Sequence, residues 1–332
     1  MDLWGAWLGG CHWGRGGYVV AAGARSERER LVDSSADACA ATAMKVGVYA
    51  SAGMKNDSGI YSVESFIELA ASLKLDVLDI RTDKGWGSKP GDTSGGLSSE
   101  VSKDYMTGVK LKALKAGLSI GYLASIGHFV GSVEENAKLV QAAKDDVDTA
   151  LLMGAPLLRC FTSCNGDYTD DIQRREVECF QEICDYAAAR GVTVGCQNHP
   201  STGDHMLRIH RQVARENFTF VLDTGQWVDG ANGGAARELE GGSPAASETN
   251  YDWMAMCAPF AAHVRAKFFR IDSGTEELLD YPRIVKLLDA AGFNGTLGIV
   301  FEGGDVNKAT DREVFALCAS ELRSLTQSVA KL

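Results

Sequence analysis

The segment Ala261 to Phe269, AAHVRAKFF, alternates three basic side chains, His263, Arg265 and Lys267, with Val264, Ala266 and Phe268. Successive side chains of a β-strand point to opposite faces, so this spacing puts an imidazole, a guanidinium and an ammonium on one face and apolar groups on the other. Such a row can hold an anionic or enolate oxygen, or pair with carboxylates from the next strand. Three further segments repeat the pattern. VTVGCQNH sets Val192, Val194 and Cys196 against Gly195, Gln197 and His199, and FTFVLDTGQW sets Phe218, Phe220 and Leu222 against Val221 and Asp223. TLGIVFEGG sets Leu297, Ile299 and Phe301 against Gly298, Val300 and Glu302. Each runs into a polar or Gly-rich loop, so four strands bring their polar ends together.

The elements that must position these residues follow one rule from Met44 onward, a strand and then a helix. MKVGVYAS, LDVLDIR, LSIGYLAS and PLLRCFT precede the four strands already quoted. On them Val77, Asp79 and Arg81 share one face, as do Leu157, Arg159 and Phe161. Helices are expected over YSVESFIELAASLK, with Ser62 as N-cap, and over about 100–116, 133–153, 171–189, 203–215, 249–259, 281–291 and 305–327. Gly154, Gly191 and Gly292 close three of them, and Asp280 with Pro282 opens one. Eight such pairs over residues 44–332 predict a single-domain α/β fold, a (β/α)8 TIM barrel, with its site at the C-terminal ends of the strands.

Bulk properties narrow the partners. The formal charge of -11 disfavours a nucleic-acid backbone, which needs a basic face. Nine cysteines in no metal-ligand spacing fit a reduced, cytoplasmic setting, with Cys160 and Cys196 as core thiols on the outer strand faces. No stretch approaches the roughly 18 apolar residues of a membrane span. Residues 1–43 read as a disordered or non-native extension. Residues 228–250, rich in Gly, Ala and Ser, form a long insertion on the site face that serves either as a lid or as a flexible loop.

These strand ends carry a resemblance. QNHPS, VLDTGQW, APFAAHVRAKFF and DYPRIVKLLDAAGFNGTLGIVFEGG, in this order, resemble the sugar phosphate isomerase/epimerase family, the xylose isomerase-like TIM barrels that also include endonuclease IV. The resemblance implies one divalent cation, Mn2+ or Mg2+, held by Glu, Asp, His and Glu from strands five to eight. It also implies two glutamates that move protons beside a sugar carbonyl, and a small sugar or polyol as partner. In direct register those four positions hold Gln197, Asp223, Arg265 and Val300, so Asp223 alone is unaltered.

Two readings stay open. In the first a metal remains, held by Asp223 and Glu302 with His263 or His199, and by Gln197 as a neutral oxygen ligand. His263 and Glu302 are each displaced by two residues, about 6.6 Å along a strand, so this reading needs a register change. In the second Arg265 stands beside Asp223 in one layer and Lys267 beside Glu302 one layer higher, and a guanidinium replaces the cation. Such a site is either a metal-free polyol or sugar-phosphate site or an ion pair that holds a former active site together. For proton transfer the candidates are Asp223, Glu302 and His199, with Lys267 stabilising an oxyanion. Arg265, Arg159, Arg81, Asn198 and Trp86 are candidates for binding substrate; Arg159 and Arg81, on strands four and two, could hold a phosphate or carboxylate, or alternatively pair with Asp79 or another barrel-mouth acid. His128, His205 and His210 are read as packing or surface residues near helix starts. Homo-oligomerisation and the identity of the sugar stay open.

Overall fold

The computed structural model describes residues 44–50, 62–82, 101–162, 168–228, 247–303 and 307–330. Trp86, the body of the insertion at 229–246 and residues 1–43 lie outside the described residues. Eight parallel strands close into a barrel in sequence order, with β1 paired to both β2 and β8. They are β1 (Lys45–Ala50), β2 (Val77–Arg81), β3 (Ser119–His128), β4 (Leu157–Thr162), β5 (Thr193–Asn198), β6 (Phe218–Asp223), β7 (Ala261–Phe268) and β8 (Thr296–Phe301). The helices that follow them are α1 (Val63–Ser72), α2 (Lys103–Lys115), α3 (Val133–Met153), α4 (Asp170–Ala188), α5 (Gly203–Val213), α6 (Glu248–Cys257), α7 (Tyr281–Ala290) and α8 (Asp311–Val329).

Local chemistry sets the boundaries. Ser62, Ser132 and Thr310 each close a reciprocal capping box with the residue three positions on, which satisfies N–H groups that the first helical turn leaves open. Gly154 ends α3 in the left-handed conformation, φ 74°, that a residue with a Cβ adopts only at a cost. The last helix begins at Asp311 rather than near 305, because Thr310 and Glu313 form the cap.

The outward strand faces pack against the helices, and a smaller apolar cluster of Tyr49, Tyr122, Ala124, Leu157, Val221 and Val300 fills the barrel interior. Cys160 and Cys196 are buried on the outer faces as expected, and burial pushes both thiols up. Strand β3 departs from simple alternation. Leu78 pairs with Ile120 but Ile80 with Leu123, so β3 carries one extra residue there, and a second irregularity separates the pairs Ala124–Arg159 and His128–Phe161. These bulges carry the strand three residues past the expected end, and His128 therefore sits on a strand at the barrel mouth rather than at a helix start.

Candidate active site

Asp223, the last residue of β6, is fully buried and level with Arg265 of β7, its register partner. Its Oδ2 accepts hydrogen bonds from Gln197 Nε2 at 2.8 Å and Arg265 Nε at 3.1 Å, and Lys267 Nζ stands 3.7 Å away. Its Oδ1 accepts from the Gly225 amide at 3.1 Å. Arg265 donates further to the Tyr122 hydroxyl at 2.5 Å and lies over the Tyr49 ring, 4.2 Å from its centre. Lys267 is not level with Glu302. Its Cα partner is Val300, and its long side chain reaches toward the mouth to meet the Glu302 carboxylate.

Charge follows from this packing. Burial pushes the Asp223 carboxyl up from its ordinary value, and Lys267 and Arg265 pull it back only in part. For Glu302 burial acts the same way but loses. The charge and hydrogen bond of Lys267, with Arg265 behind it, leave this carboxyl below the usual glutamate range although its side chain is 40% exposed. Glu302 is therefore an ionised carboxylate at the rim, in contact with a buried ammonium.

The metal-ligand set expected from the resemblance does not assemble. His263 lies one layer deeper, where its Nε2 meets Asp79 Oδ2 of β2 at 2.9 Å across the barrel. Gly121 and Gly298 make room for that pair, since a Cβ at either would come within 2.4 Å of an Asp79 oxygen. Asp79 is thereby committed to His263 and is not the partner of Arg159. Gln197 turns its NH2 toward Asp223, and its Oε1 is buried with no hydrogen-bond partner among the described residues. Among the described residues no three His, Cys, Asp or Glu side chains converge on a cation position. A divalent ion at Asp223 would also meet a guanidinium and an ammonium already within 4 Å of that carboxylate. Asp223, Gln197, His263 and Glu302 thus do not fit the group, and the guanidinium register is the one observed.

The other expected site residues divide by what they touch. Asn198 is spent on the scaffold: its Oδ1 accepts from the Asp223 amide at 2.8 Å, and its Nδ2 donates to the carbonyls of Asp223 and Gln226. His199 stands at the mouth against Phe161, ring centres 4.4 Å apart, and Phe161 stacks on His128 at 4.5 Å. Burial, then the neighbouring His128 and Arg159, lowers the His199 pKa to about 2, so at neutral pH it is an uncharged ring with little basicity. Burial and Arg159 take His128 down to about 4. Arg159 is 3% exposed beneath Phe161, with its guanidinium 3.9 Å from that ring. Arg81 is buried at the end of β2. His205 packs inside the fold, 3.0 Å from Thr162 Oγ1 and 3.6 Å from Glu176, and His210 packs among Phe218, Phe220 and Phe260.

Tyr49, Tyr122 and Asp79 belong to the same interior and were not among the expected site residues. Tyr49 follows Gly47 at strand spacing and was open to the same reading as its neighbours. Tyr122 was not, because the β3 bulge brings both Gly121 and Tyr122 inward and breaks the two-residue period.

A closed eight-stranded parallel barrel with ionisable groups gathered at the C-terminal strand ends has the architecture of the TIM-barrel enzymes. A family model described as xylose isomerase-like TIM barrel matches residues 59–316, and the chain belongs to that family. Solved structures agree in fold. A xylose isomerase domain protein from Planctomyces limnophilus matches with a TM-score of 0.61 and 14% identity, covering 87% of this chain and 99% of the other. D-psicose 3-epimerase from Clostridium cellulolyticum H10, solved with D-tagatose, has a TM-score of 0.59 and 15% identity over 86% and 99%. D-allulose 3-epimerase from Methylomonas sp. has a TM-score of 0.58 and 15% identity over 86% and 98%. No curated protein sequence matches this chain. No helix among the described residues is long and apolar enough to cross a membrane.

Proposed function

We propose that this protein is a sugar isomerase- or epimerase-like enzyme that moves a proton beside the carbonyl of a small polyol, with Arg265 and Lys267 standing where relatives of its fold would place a metal. The observation that carries this reading is the Asp223–Arg265–Lys267–Glu302 cluster at the barrel mouth. Glu302 is the base: it is ionised, part-exposed and free of the backbone contacts that bind Asp223. It takes the proton from the carbon next to the carbonyl, and the electron pair moves to the carbonyl oxygen as an enediolate. The Lys267 ammonium, released from Glu302 as that carboxylate is protonated, and the Arg265 guanidinium stabilise the oxygen. Asp223 fixes both cations, and Gln197 Oε1 is available to accept from a substrate hydroxyl. Gln197 cannot take a proton, which favours isomerisation, elimination or retro-aldol chemistry with one base over two-base epimerisation.

A second reading, a non-catalytic carbohydrate-binding relative, is favoured by the saturation of Asp223, whose two oxygens are engaged by Gln197, Arg265 and Gly225. Exchange of substrate C–H protons in deuterated water, followed by NMR over a panel of ketoses and their acids and phosphates with chelator present, separates the two. The enzyme reading expects exchange with at least one sugar and its loss in Glu302→Gln. Silence across the panel would leave the binding reading.

A further inference from the structure

One buried cation of the barrel mouth lacks a carboxylate partner among the described residues. Arg265 and Lys267 are matched by Asp223 and Glu302, but Arg159 has no carboxylate within ion-pair distance among the described residues. Its hydrogen bonds are two long ones, from Nη1 to the Ser125 carbonyl at 3.4 Å and from Nη2 to the Tyr49 hydroxyl at 3.3 Å, and its Nε has none. A guanidinium taken out of water in this way is costly to hold, and a face of Phe161 returns only part of that cost. Burial and the nearby Arg265 charge both disfavour its charged form. Tyr49 lies between the two guanidiniums, bonded through its hydroxyl to Arg159 and covered on its ring by Arg265. Above them His128, Phe161 and His199 form a part-exposed ring cluster that carries no negative charge.

We propose that Arg159 receives an anionic group of the ligand, so that the substrate is a polyol bearing a carboxylate or a phosphate rather than a neutral sugar. This rests on the mouth being the ligand site, as in the proposed function, but not on the chemistry performed there. The anion completes the missing charge and gives the unpartnered Nε and the weakly engaged Nη groups an acceptor. The fork geometry of arginine suits both oxyacid classes, and Phe161 and the two neutral imidazoles offer flat faces to the carbon chain.

The test is isothermal titration calorimetry with matched probes, a neutral ketopentose, its 5-phosphate and an aldonate of the same length, plus inorganic phosphate, on the full chain and on Arg159→Gln and Arg159→Lys. The expected result is that one charged class binds roughly tenfold or more tightly than the neutral sugar, the scale of a single charge-assisted hydrogen bond. That advantage is lost in Arg159→Gln and largely kept in Arg159→Lys, and the class that shows it tells phosphate from carboxylate. The unaltered protein gives a second readout: the bound anion offsets the Arg159 charge, so the NMR titrations of His128 and His199 shift upward. Equal affinity for neutral and charged probes, no binding of any anion, or an advantage that survives in Arg159→Gln would overturn the inference. Tight anion binding without C–H exchange would leave it standing while the proton-transfer reading fell, and exchange with neutral sugars alone would do the reverse.

Discussion

The residue on which the mouth turns is Asp223, because among the described residues it is the carboxylate within ion-pair distance of both Arg265 and Lys267. Removing its charge leaves the Arg265 guanidinium with the Tyr122 hydroxyl but no carboxylate among the described residues, and leaves Lys267 with Glu302 alone. Asp223→Asn is therefore expected to destabilise the fold by about 3–5 kcal/mol in chemical denaturation, the range for breaking a buried ion pair from one side. A loss below about 1 kcal/mol would mean that Tyr122 and Glu302 alone suffice to hold Arg265 and Lys267. The pairing of Asp223 with Arg265 was legible in the sequence, since both fall on inward faces at matching strand positions. The commitment of His263 to Asp79 was not. The two lie 184 residues apart on strands β7 and β2, and they meet through the barrel interior rather than across a sheet ladder. Nothing in the local pattern of either strand announces that contact.

At the scale of elements, period-two alternation and helix caps located the eight strands and eight helices because each signal is local. The failures came where a strand departs from its period, as in β3, or where a cap rather than a composition change starts the helix, as in α8. Two glycines test the logic of spacing. Gly121→Ala would drive a Cβ to 2.2 Å from Asp79 Oδ1 and 2.6 Å from Val77 Cγ1. It should cost about 1–3 kcal/mol or more as overpacking. Gly108, exposed in the interior of α2 with nothing within 4 Å of a Cβ, should instead gain up to about 1 kcal/mol as alanine. Urea melts of the two variants check both signs, and equal effects would contradict the assignment of Gly121 to the crowded interior.

For the whole molecule, the neutral rings of the mouth are groups on which acid acts, because burial and the nearby Arg159 charge oppose their protonation. His199 and His128 have folded pKa values of about 2 and about 4, below the 6.5 of an ordinary histidine. Between those values the unfolded chain binds protons that the folded one does not, so their stabilising contribution is full above pH 6.5 and declines as the pH falls. Each can supply up to about 1.4 kcal/mol per pH unit. The stability difference between the unaltered protein and His199→Gln, followed by denaturation between pH 6.5 and 5, should fall with acid, since Glu276, which burial raises to about 7, contributes its opposite slope to both proteins and cancels; a difference that does not change with pH would place the His199 ring in water. In the proposed function Arg265 and Lys267 stand where the resemblance implies a metal. Calorimetric titration of chelator-treated protein with Mn2+ should show no binding at the mouth; a stoichiometric site abolished by Asp223→Asn would overturn that reading.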